Sequence, residues 1–200
     1  MAANADLSKI GRLAMTSTLT QNEVSPQLPL DVGAIHSAIV ASGAALVIID
    51  PIASTMAGDL SREADVREAI DALALVAKDT KTVVMFVRHF NKGGGNPSDK
   101  MSGNHAFRDA VRSVFLFAPD ADQVVVTQDK GNYAPPGAES FAFRLENTAI
   151  NTAAGTLEVA RVVDLGASEV SVGDIINRTL TRDEDANGID GWLTDLLANG

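Results

Sequence analysis

Apolar positions along the chain fall into two periods. Val32, Ile35, Ile39 and Val40 recur at helical spacing, which predicts a helix that Asp31 can cap and Gly43 ends near Ser42. Val66, Ile70, Leu73 and Val76 make a second helical stripe. Ser61 is the predicted N-cap of that helix, Glu63 and Asp65 occupy its first turn, and it ends near Asp79. Between and after these helices, residues 45–49 (ALVII) and 82–87 (TVVMFV) are unbroken apolar runs of strand length. Such runs are expected of strands covered on both faces.

Downstream the order continues with a glycine-rich loop over 92–103, a short helix over 106–112 and a third strand over 114–118. Helix, strand, helix, strand, helix, strand predicts a parallel sheet with crossover helices. The pattern then changes. Strands at 123–127, 141–145 and 158–164 follow with loops between them, which predicts an antiparallel extension of the sheet. A helical turn over 171–177, a polar acidic linker over 181–188 and a further helix over 189–197 complete the chain. Residues 1–30 are weakly patterned, with one strand candidate over 12–18 and a loop marked by Pro26 and Pro29. The expected organisation is a poorly patterned segment (1–30), an α/β core (31–166) and a C-terminal extension with a short helix (167–200). No internal repeat is visible.

Composition narrows the chemistry. The 200 residues are 46% hydrophobic but only 4% aromatic, so aliphatic side chains must build the core. Without cysteine, disulfides, thiol nucleophiles and thiolate metal sites are excluded. A net charge of −10 argues against nucleic-acid binding through bulk charge. One stretch runs the other way: Arg88, Lys92, Lys100, Arg108 and Arg112 outnumber Asp99 and Asp109. The longest apolar run, 41–49, is broken by Asp50-Pro51 at about half the length of a membrane helix. Residues 1–15 lack the apolar centre of a secretory signal. A cytoplasmic protein with no membrane partner is the expectation.

In parallel sheets the chemistry sits beyond the carboxyl ends of the strands. Two polar groups stand there. Asp50 follows ALVII directly, where nucleotide hydrolases hold an acid that orders the water shell of Mg²⁺. Asp before Pro is also an ordinary strand terminator. The second group is the stretch Arg88-His89-Phe90-Asn91-Lys92 after the next strand, from which His89 can reach toward Asp50; the bland alternative is a histidine that caps the sheet. A phosphate-binding loop of the form G-x-x-x-x-G-K-[ST] is not in the sequence, which has no Gly-Lys pair at all. A metal hydrolase built on His36, His89 and His105 is a poor reading, because no two of them have i, i+4 spacing.

The ordered series ALVIIDP (45–51), VRHFNKG (87–93), SGNHAFRDAVRSVF (102–115), QDKGNY (128–133) and FAFRLE (141–146) resembles the RepA-like group of RecA-fold AAA ATPases, which are hexameric helicase-type proteins. The similarity spans roughly 13–166. It implies a RecA-like, mainly parallel sheet flanked by helices, incomplete at its N-terminus because the family's phosphate-binding loop lies upstream of the matched region. By position, Asp50 corresponds to the acid that holds Mg²⁺ through water, and His89 to the phosphate sensor, with Asn91 and Lys92 completing its stretch. Arg112 falls where the family has the arginine finger that reaches a neighbouring subunit's nucleotide. Lys130 and Asn132 resemble a K-N-N stretch near that interface, although Gly131 replaces the first Asn. The resemblance further implies ATP and Mg²⁺ as cofactors, held weakly or not at all by the isolated chain. It implies a homo-oligomeric ring or a complementary ATPase subunit as partner, and single-stranded DNA contacts through the 92–103 loop, at Lys92 and Lys100. The alternative is a non-catalytic, ATPase-like binding or assembly protein.

Overall fold

The computed structural model describes residues 5–17, 21–89, 105–133 and 139–178. These divide into two compact units, one spanning Leu7–Val111 and the other taking in residues 5–6 and the chain from Arg112 onward. The Gly-rich loop, the 181–188 linker and the 189–197 helix lie outside the described residues.

In the first unit, a small ladder pairs β1 (Met15–Thr16) with β2 (Glu23–Val24), antiparallel, beside an Arg12–Glu23 ion pair. Helix α1 (Val32–Ser42) then leads through Gly43 to β3 (Leu46–Ile49). Gly43 takes φ 65° and donates its N–H to Ile39 at 2.8 Å, the left-handed stop that glycine permits. Helix α2 (Glu63–Thr80) crosses over to β4 (Val83–Phe86), which pairs with β3 in parallel, Leu46 opposite Val83 and Ile49 opposite Phe86. A short helix, α3 (His105–Ala110), follows. One core joins all three helices to one face of the parallel pair. It contains Ile35 and Ile39 of α1, Val66, Ala69, Ile70, Leu73 and Val76 of α2, and Phe107 of α3, packed against Val47, Ile49, Val84 and Phe86.

Two features of this unit differ from the sequence expectation. The alternate side chains Leu46, Ile48, Val83 and Met85 remain exposed, so both strands are covered on one face rather than two. An aliphatic run does not itself reveal how many faces will find a partner. The helix starts differ as well. Asp31 accepts the Gln27 N–H at 2.7 Å instead of capping α1. Ser61 donates both its N–H and its hydroxyl to Asp59, leaving Arg62 at the N-cap of α2 without a side-chain cap. In each case a nearer turn partner takes the group that would have capped the helix.

In the second unit β5 (Ser113–Asp120), β6 (Gln123–Gly131), β7 (Ser140–Thr152) and β8 (Gly155–Ser168) form an antiparallel sheet in chain order. The third strand predicted for the parallel sheet is thus the first strand of this meander. The physical cause is the two-residue connection Ala121–Asp122, which only an antiparallel pair can use. Among the described residues the sheets are therefore not mainly parallel: there are one parallel pair and two antiparallel sheets. The fold class is α/β. Residues 172–178 are helical and cover one face of the meander, with Val172 packed among Ala118, Val125 and Ala142.

Candidate functional site

The parallel pair sets the geometry of the first cluster. Because β3 and β4 run side by side in the same direction, Asp50 and His89 leave the sheet at the same edge. The ladder continues past both strands: the Val87 N–H reaches Ile49 O at 2.9 Å, and the Ile52 N–H reaches Val87 O at 3.0 Å. Asp50 and Pro51 are a two-residue excursion between those bonds, pinned at both ends to one residue of the neighbouring strand. Behind them Ile52 and Thr55 are buried in the core. Leu28, fully buried, clips the same loop through Leu28 N–H to Thr55 O (2.6 Å) and Ala57 N–H to Leu28 O (3.0 Å). The segment that reads as poorly patterned therefore supplies a structural clamp for the loop carrying Asp50. A single buried leucine has no period to announce it.

The Asp50 side chain is exposed and makes no hydrogen bond or ion pair among the described residues; the same holds for His89. Two groups open to solvent at one sheet edge can take a ligand without first breaking a protein contact. Arg88, between Val87 and His89, is held differently. Its guanidinium lies 4.8 Å from the centre of the Phe107 ring, and Phe107 packs edge-on to Phe86 at 6.0 Å. Desolvation draws the Arg88 pKa below its ordinary value, although a guanidinium stays protonated under any physiological condition. The result is a contact to the Phe107 ring one residue before His89. Sequence reasoning assigned no role to Arg88 or Phe107; RHF followed by an aromatic in the next helix was the available signal.

The second cluster forms at the open end of the β5–β6 hairpin. Asn132 donates its N–H to Arg112 O at 3.0 Å, and Lys130 pairs with Val114. Arg112, distant in sequence from Lys130 and Asn132, is thereby their neighbour. Arg112 is exposed and without a side-chain partner among the described residues. Asp50 and His89 belong to one compact unit, and Arg112, Lys130 and Asn132 to the other.

His36 Nε2 lies 2.7 Å from Asp79 Oδ2, joining α1 to the end of α2. No group of three metal-ligating side chains occurs among the described residues. Asn91, Lys92 and Lys100 lie outside those residues, as does the side chain of His105. Among the described residues no helix is long and apolar enough to cross a membrane.

Residues 2–95 match the AAA domain family. The match supports an AAA-type ATPase domain over just under half of the chain, and it contains β3, β4, Asp50 and His89. It also takes in the weakly patterned N-terminal segment, in keeping with the buried Leu28. Arg112, Lys130 and Asn132 lie beyond it. No curated protein matches the chain.

Proposed function

We propose that this chain is a RecA-like module of an AAA ATPase of the RepA-like helicase type, working in an oligomer that couples ATP hydrolysis to movement on DNA. The observation that carries the reading is the shared edge of β3 and β4, where Asp50 and His89 stand open to solvent inside the AAA match. The donor set suits one part of the cofactor. An exposed carboxylate at a parallel-strand end fits a hydrated divalent cation held through water, and an adjacent imidazole fits contact with a terminal phosphate. When bound, Mg²⁺ neutralises charge on the phosphates. In this reading Asp50 orients the ion's water shell, His89 reports the state of the terminal phosphate, and Arg88 on Phe107 fixes the backbone that presents His89. Arg112 would reach the nucleotide of a neighbouring subunit.

The triphosphate's own cradle does not fit this chain, since the sequence has no G-x-x-x-x-G-K-[ST]. The same observation favours a second reading, a non-catalytic assembly protein that retains the fold. A labelled ATP analogue titrated with Mg²⁺ separates the readings. The isolated chain is expected to bind weakly, and addition of a P-loop-bearing ATPase half is expected to restore binding that Asp50→Asn then lowers. Tight binding by the chain alone would overturn the statement about the cradle. Restored binding indifferent to Asp50→Asn would overturn the ATPase assignment and leave the assembly protein.

A further inference from the structure

Four of the chain's seven phenylalanines stand on one face of the antiparallel sheet. Residues directly opposite in a ladder share a face. Phe117 is opposite Val126 and Val126 opposite Phe141, while Phe143 is opposite Val124. Phe115 is two residues before Phe117, and Leu145, opposite Val162, extends the face along β7. The reverse side carries Ala118, Val125 and Ala142, already covered by Val172. The sheet is thus apolar on both faces: Val172 covers the second, while on the first Val126 is itself fully buried and Phe115, Phe117 and Phe141 around it stand partly exposed. Exposure is 48% for Phe115, 54% for Phe117, 43% for Phe141, 57% for Leu145 and 62% for Val162. At on the order of 100 Å² each, their exposed area together equals that of the largest apolar patch on an ordinary monomer.

Charge at the patch selects its occupant. A shallow trough of about 540 Å³ runs between β7 and β8, lined by Phe141, Phe143 and Val162 together with Glu139 and Asp164, and by no basic residue. Glu139 has no partner among the described residues, and Asp164 accepts only the Gly166 N–H, at 2.9 Å. Aromatic faces and carboxylates both attract cations, and the chain's net charge of −10 adds to that field. A second copy would bring the same carboxylates against each other, and a phosphate-bearing ligand would meet them as well. We propose that this face docks a cationic amphipathic helix of a partner protein, with its apolar ridge on Phe115, Phe117 and Phe141 and its Lys or Arg side chains toward Glu139 and Asp164. The proposal is independent of the ATPase reading.

The test uses the full chain and a fluorescent synthetic Leu/Lys amphipathic helical peptide, followed by anisotropy at physiological salt. Saturable binding is expected. Phe117→Ser with Phe143→Ser, and separately Glu139→Gln with Asp164→Asn, should each weaken it at least tenfold. Glu68→Gln with Asp71→Asn, the same charge change on exposed positions of α2, should leave it unaltered. Circular dichroism establishes that the variants fold; should the serine pair unfold the sheet, the exposed carboxylate pair decides alone. Equal loss in the α2 variant, or equal binding of a Leu/Glu peptide, would overturn the proposal. So would a dimer by light scattering that Phe117→Ser returns to monomer, since the occupant would then be a second copy.

Discussion

At Asp50 the backbone does the positioning and the side chain is left free. Two bonds to Val87 hold the excursion, and neither involves the carboxylate. Asp50→Asn should therefore leave the stability of the chain within about 0.5 kcal/mol of the original, as surface changes do. In the complemented ATPase it should weaken Mg²⁺-dependent nucleotide binding by on the order of tenfold, equivalent to ~1.4 kcal/mol. Thermal melting and a Mg²⁺ titration check the two halves. Lys81 is the opposite kind of residue, one whose backbone carries a cost. It ends α2 at φ 57°, the left-handed position usually given to glycine. Lys81→Gly should raise stability by about 0.5–1 kcal/mol, measured by urea unfolding. Asp50 was legible in the sequence because it follows an unbroken apolar run. Lys81 was not, since a left-handed residue leaves no trace in composition.

Elements were legible where a period was long and partners were local. The α2 stripe predicted its own core, and Val66, Ile70, Leu73 and Val76 are all buried. Ile70→Ala should accordingly cost about 2–5 kcal/mol in a denaturation series. The direction of a strand depends on its connection, which is why the 114–118 run lies in the meander and not in the parallel sheet that its order along the chain predicts: the turn at Ala121–Asp122, not the strand itself, decides it. The helical segment at 172–178 was legible only as a turn, yet its start is a reciprocal cap. Ser171 donates its N–H (2.8 Å) and hydroxyl (2.6 Å) to Asp174, and Asp174 donates its N–H back to the Ser171 hydroxyl at 3.1 Å. These Ser171 bonds hold the Asp174 carboxyl below its ordinary pKa. A carboxyl depressed in the folded state stabilises above its unfolded pKa of about 3.8 and loses that contribution as pH falls through the lower folded value. Helix 172–178 should thus loosen on acidification below about pH 4, and Asp174→Asn should flatten that part of the response. Amide exchange at residues 172–178 across this pH range would register both.

At the scale of the whole molecule, the candidate groups divide between two compact units. Asp50 and His89 lie in Leu7–Val111, and Arg112 with Lys130 and Asn132 lies from Arg112 onward. If Arg112 serves a neighbour's nucleotide, as a head-to-tail ring arrangement requires, then the two clusters need never meet within one chain. That separates action between subunits from action within one. Asp50→Asn chains and Arg112→Ala chains, each complemented with a P-loop half, should be inactive alone. Mixed in equal amounts, an Arg112→Ala chain still supplies Asp50 and an Asp50→Asn chain still supplies Arg112. Random mixing places an intact Asp50 against an intact Arg112 at about a quarter of the interfaces. About a quarter of the normal ATPase rate should therefore return on mixing. Cis action by Arg112 would return none, because no single chain in the mixture carries both groups. Full activity in the Arg112→Ala oligomer alone would remove Arg112 from the site and leave the Asp50–His89 edge to be judged by the Mg²⁺ titration.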